Sequence, residues 1–208
     1  MKTKILIVLL FLFTLTSAQS VTNYGIKIGV TFSKAVDIDI KNYYWNLYRN
    51  ARIGSNYGFF AQIFKTDNIS FVAEMGYKQI GAEDKIPVTT SENPDGTGEF
   101  ITLDHAYDFL VFQISFQPEY EMQAVKFYGI FAPTFNYMIG NRDQLIMNRY
   151  VKKFLIGYNL GIGIQPKTFL NGKLFLEVNY NGFFSKVVSN DFVSMKFSSF
   201  QISIGNYF

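Results

Sequence analysis

Residues 23 to 33, NYGIKIGVTFS, alternate apolar and non-apolar side chains along their whole length. Tyr24, Ile26, Ile28, Val30 and Phe32 fall on one face, with Asn23, Gly25, Lys27, Gly29, Thr31 and Ser33 on the other. A period of two predicts a strand whose faces meet different surroundings. In a water-soluble β protein the oily face is the core. In a membrane barrel the oily face meets lipid and the other lines the lumen.

The pattern recurs along the chain. It is seen at 56–64, 69–79, 110–117, 126–137, 154–165, 173–181 and 198–208. In the 154–165 stretch, Phe154, Ile156, Tyr158, Leu160, Ile162 and Ile164 oppose Gly157, Asn159, Gly161, Gly163 and Gln165. With 24–33 these make eight predicted strands, most near the 9–11 residues that cross a bilayer when tilted. The connections after strands two, four and six are short, and those after strands one, three, five and seven are mostly longer. Short turns on one side and long loops on the other, with an even strand number, are the outer-membrane pattern. The fold class expected is all-β: an eight-stranded antiparallel up-and-down transmembrane β-barrel. Its long loops, including 81–104, are expected outside the cell and both termini in the periplasm.

The first residues have a different character. Lys2 and Lys4 precede an apolar run from Ile5 to Leu15, and Thr16-Ser17-Ala18 supplies small residues before Gln19. This is the layout of a secretory signal peptide, residues 1–18, followed by a barrel domain over 19–208. A spanning anchor needs ~20 apolar residues, more than this run has. No cysteine is present, which excludes a lipid-anchored cysteine and disulfide support alike. Removing Lys2 and Lys4 takes the formal charge from +3 to +1, a balance that argues against nucleic acid as a partner.

Composition helps decide which face is inside. Aromatic residues make up 18% of the chain and charged ones only 17%. The non-oily faces carry Gly, Ser, Asn and Gln rather than the Lys and Glu of a watered surface. Small polar groups suit the lumen of a narrow barrel, which side chains fill. Lys27 then points inward and needs a partner. Glu74 and Glu177 occupy inward positions at a similar distance from the start of their strands. A lumen network of Lys27, Glu74 and Glu177 is expected, with Lys78 nearer the outer mouth. An open ion path is not expected at this barrel size.

The segments YGIKIGVTFS, GFFAQIFKTDNISFVAEMGYKQIGA, KFYGIFAPTFNYMIG and LEVNYNG resemble the PorT-type outer-membrane β-barrel family of Gram-negative bacteria. The resemblance runs in order over nearly the whole chain after residue 18, and the block 58–82 carries it best. It implies a barrel of OmpA-like shape in the outer membrane. Some members of that family assist a secretion and gliding machinery. Two positions depart from the family pattern: Ala132 precedes Pro133 where Gly is usual, and Gln113 stands where Pro is common. The resemblance therefore implies the fold and not a secretion role. The C-terminal Phe208, with Phe200, Ile202 and Ile204 upstream, resembles the signal read by the barrel-insertion machinery; Asn206 departs from it, and Tyr207 sits one place off.

Other chemistry is sparse. His105 is the single histidine, so motifs needing two are excluded. It lies near Asp104 and Asp108 at the start of the fourth strand, where an ordinary rim position is expected. The aromatic cluster Tyr43, Tyr44, Trp45 and Tyr48 is a candidate docking surface for a protein or glycan. Arg142, Arg149, Lys152 and Lys153 flank the third long loop and are candidates for outer-leaflet lipid phosphates. No cofactor or metal is expected. The sequence thus predicts a non-enzymatic outer-membrane barrel with a packed lumen, acting through its loops as a structural, binding or secretion-accessory component. Two alternatives stand beside it: a soluble periplasmic lipocalin-like barrel for an apolar ligand, and a lipid-modifying barrel enzyme using His105.

Overall fold

The computed structural model of the chain describes residues 23–40, 50–88, 90, 93, 97–142, 151–167, 173–189 and 193–208. Among them nine strands follow in order: β1 (Asn23–Ile40), β2 (Asn50–Lys65), β3 (Ile69–Pro87), β4 (Phe100–Glu121), β5 (Val125–Asn141), β6 (Phe154–Pro166), β7 (Leu174–Phe183), β8 (Val188–Ser189) and β9 (Val193–Tyr207). Eight are long and form a ring. Each pairs antiparallel with the next, β7 pairs with β9, and β9 returns to β1. The closing register runs from Gly25↔Tyr207 to Ile40↔Val193. Closure is what lipid demands, because an open edge would leave N–H and C=O groups with no water to satisfy them. No helix among the described residues is long and apolar enough to cross a membrane.

The predicted staves are all present, but several run further. β1 continues past Ser33 through a bulge between Ala35 and Asp37. β3 and β4 stay paired as far as Pro87↔Phe100. Residues 81–104, expected to be a loop without alternation, are therefore strand at both ends. The local sequence there is polar and lacks a lipid-facing stripe, so the lipid-derived pattern stops before the hydrogen-bonded ladder does. With 19 residues in β3 and 22 in β4, this hairpin is about twice the 9–11 residues a bilayer needs and projects beyond it.

Asn23, Phe208 and the short turns share one end, here called the turn end. Asn23 pairs with Gln62 beside the 66–68 turn, where Thr66 N–H donates to the Ile69 carbonyl at 2.8 Å. Phe208 N–H donates to the Tyr24 carbonyl at 2.8 Å. The opposite, loop end carries the long connections and β8.

The faces segregate as the alternation requires. Tyr24, Ile28, Tyr57, Phe59, Met75 and Ile162 are each more than half exposed, while Lys27, Thr31, Asn56, Gln113, Asn136, Glu177 and Asn179 are buried. That is the reverse of a soluble barrel, and it removes the lipocalin-like alternative. On β4 the outward band runs from Leu110 to Tyr120, bounded by Asp108 and Glu121. Aromatic contacts ring both edges, as membrane girdles do. At the turn end Tyr24 meets Phe208 at 5.7 Å between centroids and Phe64 meets Phe71 at 6.0 Å. At the loop end Phe135 meets Phe154 at 6.4 Å and Tyr158 meets Phe184 at 5.3 Å.

Candidate functional site

The lumen is built in layers. Nearest the turn end, Ser70 Oγ donates to Glu119 Oε1 at 2.7 Å, and Lys126 Nζ lies 3.3 Å from Glu119 Oε2. Above them three rings pack against one another inside the bore. Phe60 sits edge-on to Phe175 and Tyr207, with centroids 5.3 and 4.9 Å apart, and Val72 packs beside them. Two glycines make room for rings: a Cβ on Gly205 would overlap Phe175, and one on Gly163 would overlap Tyr128. Tyr207, one place off the alternation expected of an insertion signal, is inside because it belongs to this plug. Phe200, Ile202, Ile204 and Phe208 all face outward.

The next layer is polar. Lys27 Nζ lies 2.7 Å from Glu74 Oε2 and 3.0 Å from Glu177 Oε2. Each carboxylate has a further donor: Gln113 Nε2 at 2.7 Å from Glu74 Oε2, and the Tyr128 hydroxyl at 3.2 Å from Glu177 Oε1. The inward amides continue the network. Asn159 donates to Gln113, Asn181 to Gln201, Gln201 and Asn56 to Thr31, and Ser203 to Asn56. Lys78 stands one level up, donating to Asn181 Oδ1 at 3.4 Å and lying 5.6 Å from the centroid of Phe183, a cation–π distance. Between these groups is a cavity of about 20 Å³, lined by Lys27, Glu74, Lys78, Gln113, Asn159 and Asn181 among others. That is room for about one water.

Above Lys78 the lumen turns apolar, which the sequence reading missed. Ile80, Tyr107, Phe109, Leu155, Phe183, Met195 and Phe197 form one buried cluster, with Tyr107 and Phe197 centroids 5.4 Å apart. Val151, Val187 and Val188 complete it from the loops. The strap is held by main-chain bonds: Val187 N–H to the Met195 carbonyl at 2.8 Å and Lys152 N–H to the Val187 carbonyl at 2.9 Å. Here both faces of β4 and β9 are buried, so alternation of polarity disappears and cannot signal which face is inside. The polar layer thus lies between packed aromatic rings on the turn side and an apolar cluster on the loop side.

His105 belongs to this region and is not a rim residue. It is fully buried on the inward side of β4, two residues from Tyr107. Burial is its physical answer to a position above the lipid band but under the cap, and it places the ring out of reach of lipid. Charged and polar side chains of β2, β3 and β4 gather nearby, with Arg52 buried among them. Arg52 makes a two-pronged ion pair with Asp104 and donates to Gln79 Oε1 at 2.8 Å. Asp108 accepts from the Tyr77 hydroxyl at 2.6 Å, Gln79 Nε2 at 2.8 Å and Arg142 at 3.2 Å. Arg142 is therefore engaged with Asp108, while Lys152 and Lys153 are exposed at the loop end. Arg149 and the Tyr43, Tyr44, Trp45 and Tyr48 cluster lie outside the described residues. Among the described residues no group of three His, Asp or Glu gathers as a metal site would require.

A closed ring of lipid-facing staves around a filled bore is a membrane barrel, and a family model described as outer membrane protein beta-barrel domain matches residues 17–204. The chain belongs to that family. It is a protein of the bacterial outer membrane. Among solved structures it is similar to OprG from Pseudomonas aeruginosa at 11% identity, covering 89% of this chain and 95% of that one, with a TM-score of 0.48. Neisserial surface protein A is similar at 12% identity, over 89% and 97% of the two chains, with a TM-score of 0.47. Ail of Yersinia pestis is similar at 13% identity, over 89% and 98%, with a TM-score of 0.37. No curated protein matches the chain.

Proposed function

We propose that this outer-membrane barrel is a non-enzymatic, non-conducting scaffold of the PorT type, whose loop end faces the cell exterior and carries its interactions. The observation that supports this most is the packing on either side of the Lys27 layer, with Phe60, Phe175 and Tyr207 on one side and the Tyr107–Phe197 cluster on the other. A bore filled in this way leaves the outer surface and the projecting β3–β4 hairpin as the parts able to meet a partner. In this reading the loops serve a structural, binding or secretion-accessory task, with a protein or glycan as partner. Residues 1–18 are a signal peptide that is removed on export. Phe200, Ile202, Ile204 and Phe208 are read by the barrel-assembly machinery. Arg142, Lys152 and Lys153 meet phosphates of the outer leaflet.

The test is cross-linking on intact cells. A variant with residues 89–97 replaced by a short Gly-Ser turn should still insert and migrate as a folded barrel, yet lose cross-linked partners. Unchanged partners would contradict the role given to this hairpin. The enzymatic alternative has its own test, because lipid hydrolysis or acyl transfer lost in a His105→Ala variant that still folds would replace the scaffold reading.

A further inference from the structure

The projecting β3–β4 hairpin carries a strand edge that the barrel does not cover. The β3–β4 ladder runs to Pro87↔Phe100, but β4 loses its other neighbour at Tyr107↔Asn141. One more bond follows, from the Arg142 N–H to the Ala106 carbonyl at 2.8 Å. Among the described residues, 100–104 have no strand on that side. The Ala106 carbonyl fixes which way the backbone faces, because successive residues of a strand turn their N–H and C=O groups to opposite sides. Phe100, Thr102 and Asp104 share the orientation of Ala106, so their N–H and C=O groups point away from β3. The residues between them point to β3, in step with the bond from the Val88 N–H to the Glu99 carbonyl at 2.9 Å.

The two edges of the hairpin differ. β2 leaves β3 at Asn50↔Glu83, and the stretch of β3 beyond it ends in Pro87, which has no N–H to offer. Proline on an edge is one of the devices that keep strands from pairing with strangers. From Phe100 to Asp104 the β4 edge has neither proline nor lysine. Phe100 is 63% exposed and Ile101 55%, and alternation puts them on opposite faces. A strand laid along this edge therefore finds an apolar contact on each side. The hairpin is also acidic. Its arms carry Glu83, Asp84, Glu99 and Asp104 against Lys85, and the connecting residues add Glu92 and Asp95 with no base. With Asp104 paired to Arg52 the excess is still negative. A second copy would bring like charges together, and the phosphates of a membrane surface are repelled as well, whereas a cationic chain is drawn in.

We propose that the β4 edge over residues 100–104 takes up a basic, extended segment of a partner protein as an added strand. Main-chain bonds to Phe100, Thr102 and Asp104 hold the segment, and Phe100 and Ile101 pack against its alternate side chains. Its lysines or arginines answer the acids of the hairpin. This docking site rests on the role proposed above for the hairpin and gives its partner a chemistry.

The test measures binding to the purified barrel in detergent micelles, by fluorescence anisotropy of a short labelled peptide of alternating lysine and valine. A second peptide has glutamate for lysine. A third keeps the lysines but is N-methylated throughout, so it has charge without main-chain donors. The lysine–valine peptide should bind, and the other two should bind at least several-fold more weakly. Thr102→Pro removes an outward N–H and spares the β3 ladder, so it should weaken binding several-fold, while Thr102→Val should leave it unchanged. Heat-modifiable migration shows that each variant is folded, and Phe100→Pro, which removes the next outward N–H toward the tip, serves if Thr102→Pro does not fold. No binding of the lysine–valine peptide, or equal binding of the glutamate peptide, would overturn the basic occupant. Equal binding of the N-methylated peptide, or binding untouched by proline on the edge, would overturn strand addition. A barrel dimer that Thr102→Pro dissociates would give the edge to a second copy and overturn the proposal too. A barrel that loses its cellular partners when 89–97 is replaced, yet ignores the lysine–valine peptide, would keep the role of the hairpin and lose this site.

Discussion

Lys27 is held between two carboxylates that come from opposite sides of the bore, Glu74 at 2.7 Å on β3 and Glu177 at 3.0 Å on β7. The three residues tie β1 to staves that are not its neighbours in the ring. Removing one partner of such a buried group leaves uncompensated charge, which typically costs about 3–5 kcal/mol.

Lys27→Met should therefore lower the unfolding midpoint of the purified barrel in urea and detergent by about that much, while still permitting insertion. Adding Glu74→Gln to the same chain should recover part of the loss, because the two residues share one network. Additive losses in the double variant would place them in separate environments.

Ile28, the outward neighbour of Lys27, should respond in the opposite manner. Ile28→Lys puts a charge into lipid near the midplane, at a cost of about 2–4 kcal/mol. The expected outcome is impaired assembly, seen as a reduced heat-modifiable band in outer-membrane fractions. A harmless Ile28→Lys would mean that this face meets water.

These two adjacent positions also show why so much of the barrel was legible. Along Tyr24–Phe32 every second residue answers to lipid and the others to the lumen, so period and polarity coincide. The same logic placed Lys27, Glu74 and Glu177 at one level. It failed where both faces of a strand are apolar or covered. Tyr107, Phe109 and Phe197 are as oily as the lipid-facing residues, and only the strap with Val187 and Val188 makes them interior. That strap is a long-range contact with no local signal. His105 was misplaced for the same reason. Strand ends were misjudged where the ladder outlasts the lipid, as at Pro87↔Phe100.

The cap should be a packing core in its own right. Phe109→Ala should destabilise the barrel by about 3–5 kcal/mol, as large-to-small changes in buried clusters do. Phe131→Ala, on the lipid face of β5, should cost distinctly less because lipid refills the space. Urea unfolding of the two variants side by side checks this, and equal losses would deny the cap its role.

Sidedness can be read on cells. An epitope inserted at 93–97 should be reached by antibody and by added protease on intact cells. The same epitope in the 66–68 turn should be reached only after the outer membrane is opened. The converse pattern would invert the barrel.

Packing on both sides of the Lys27 layer should leave the lumen closed to ions. Purified protein reconstituted in a planar bilayer tests it most directly. The side chains of an eight-stranded barrel fill its interior, and the packed rings and apolar cluster of this one add to that filling. The expected record is a stable baseline with no discrete steps at either polarity. Reproducible openings of fixed size from folded protein would contradict the account.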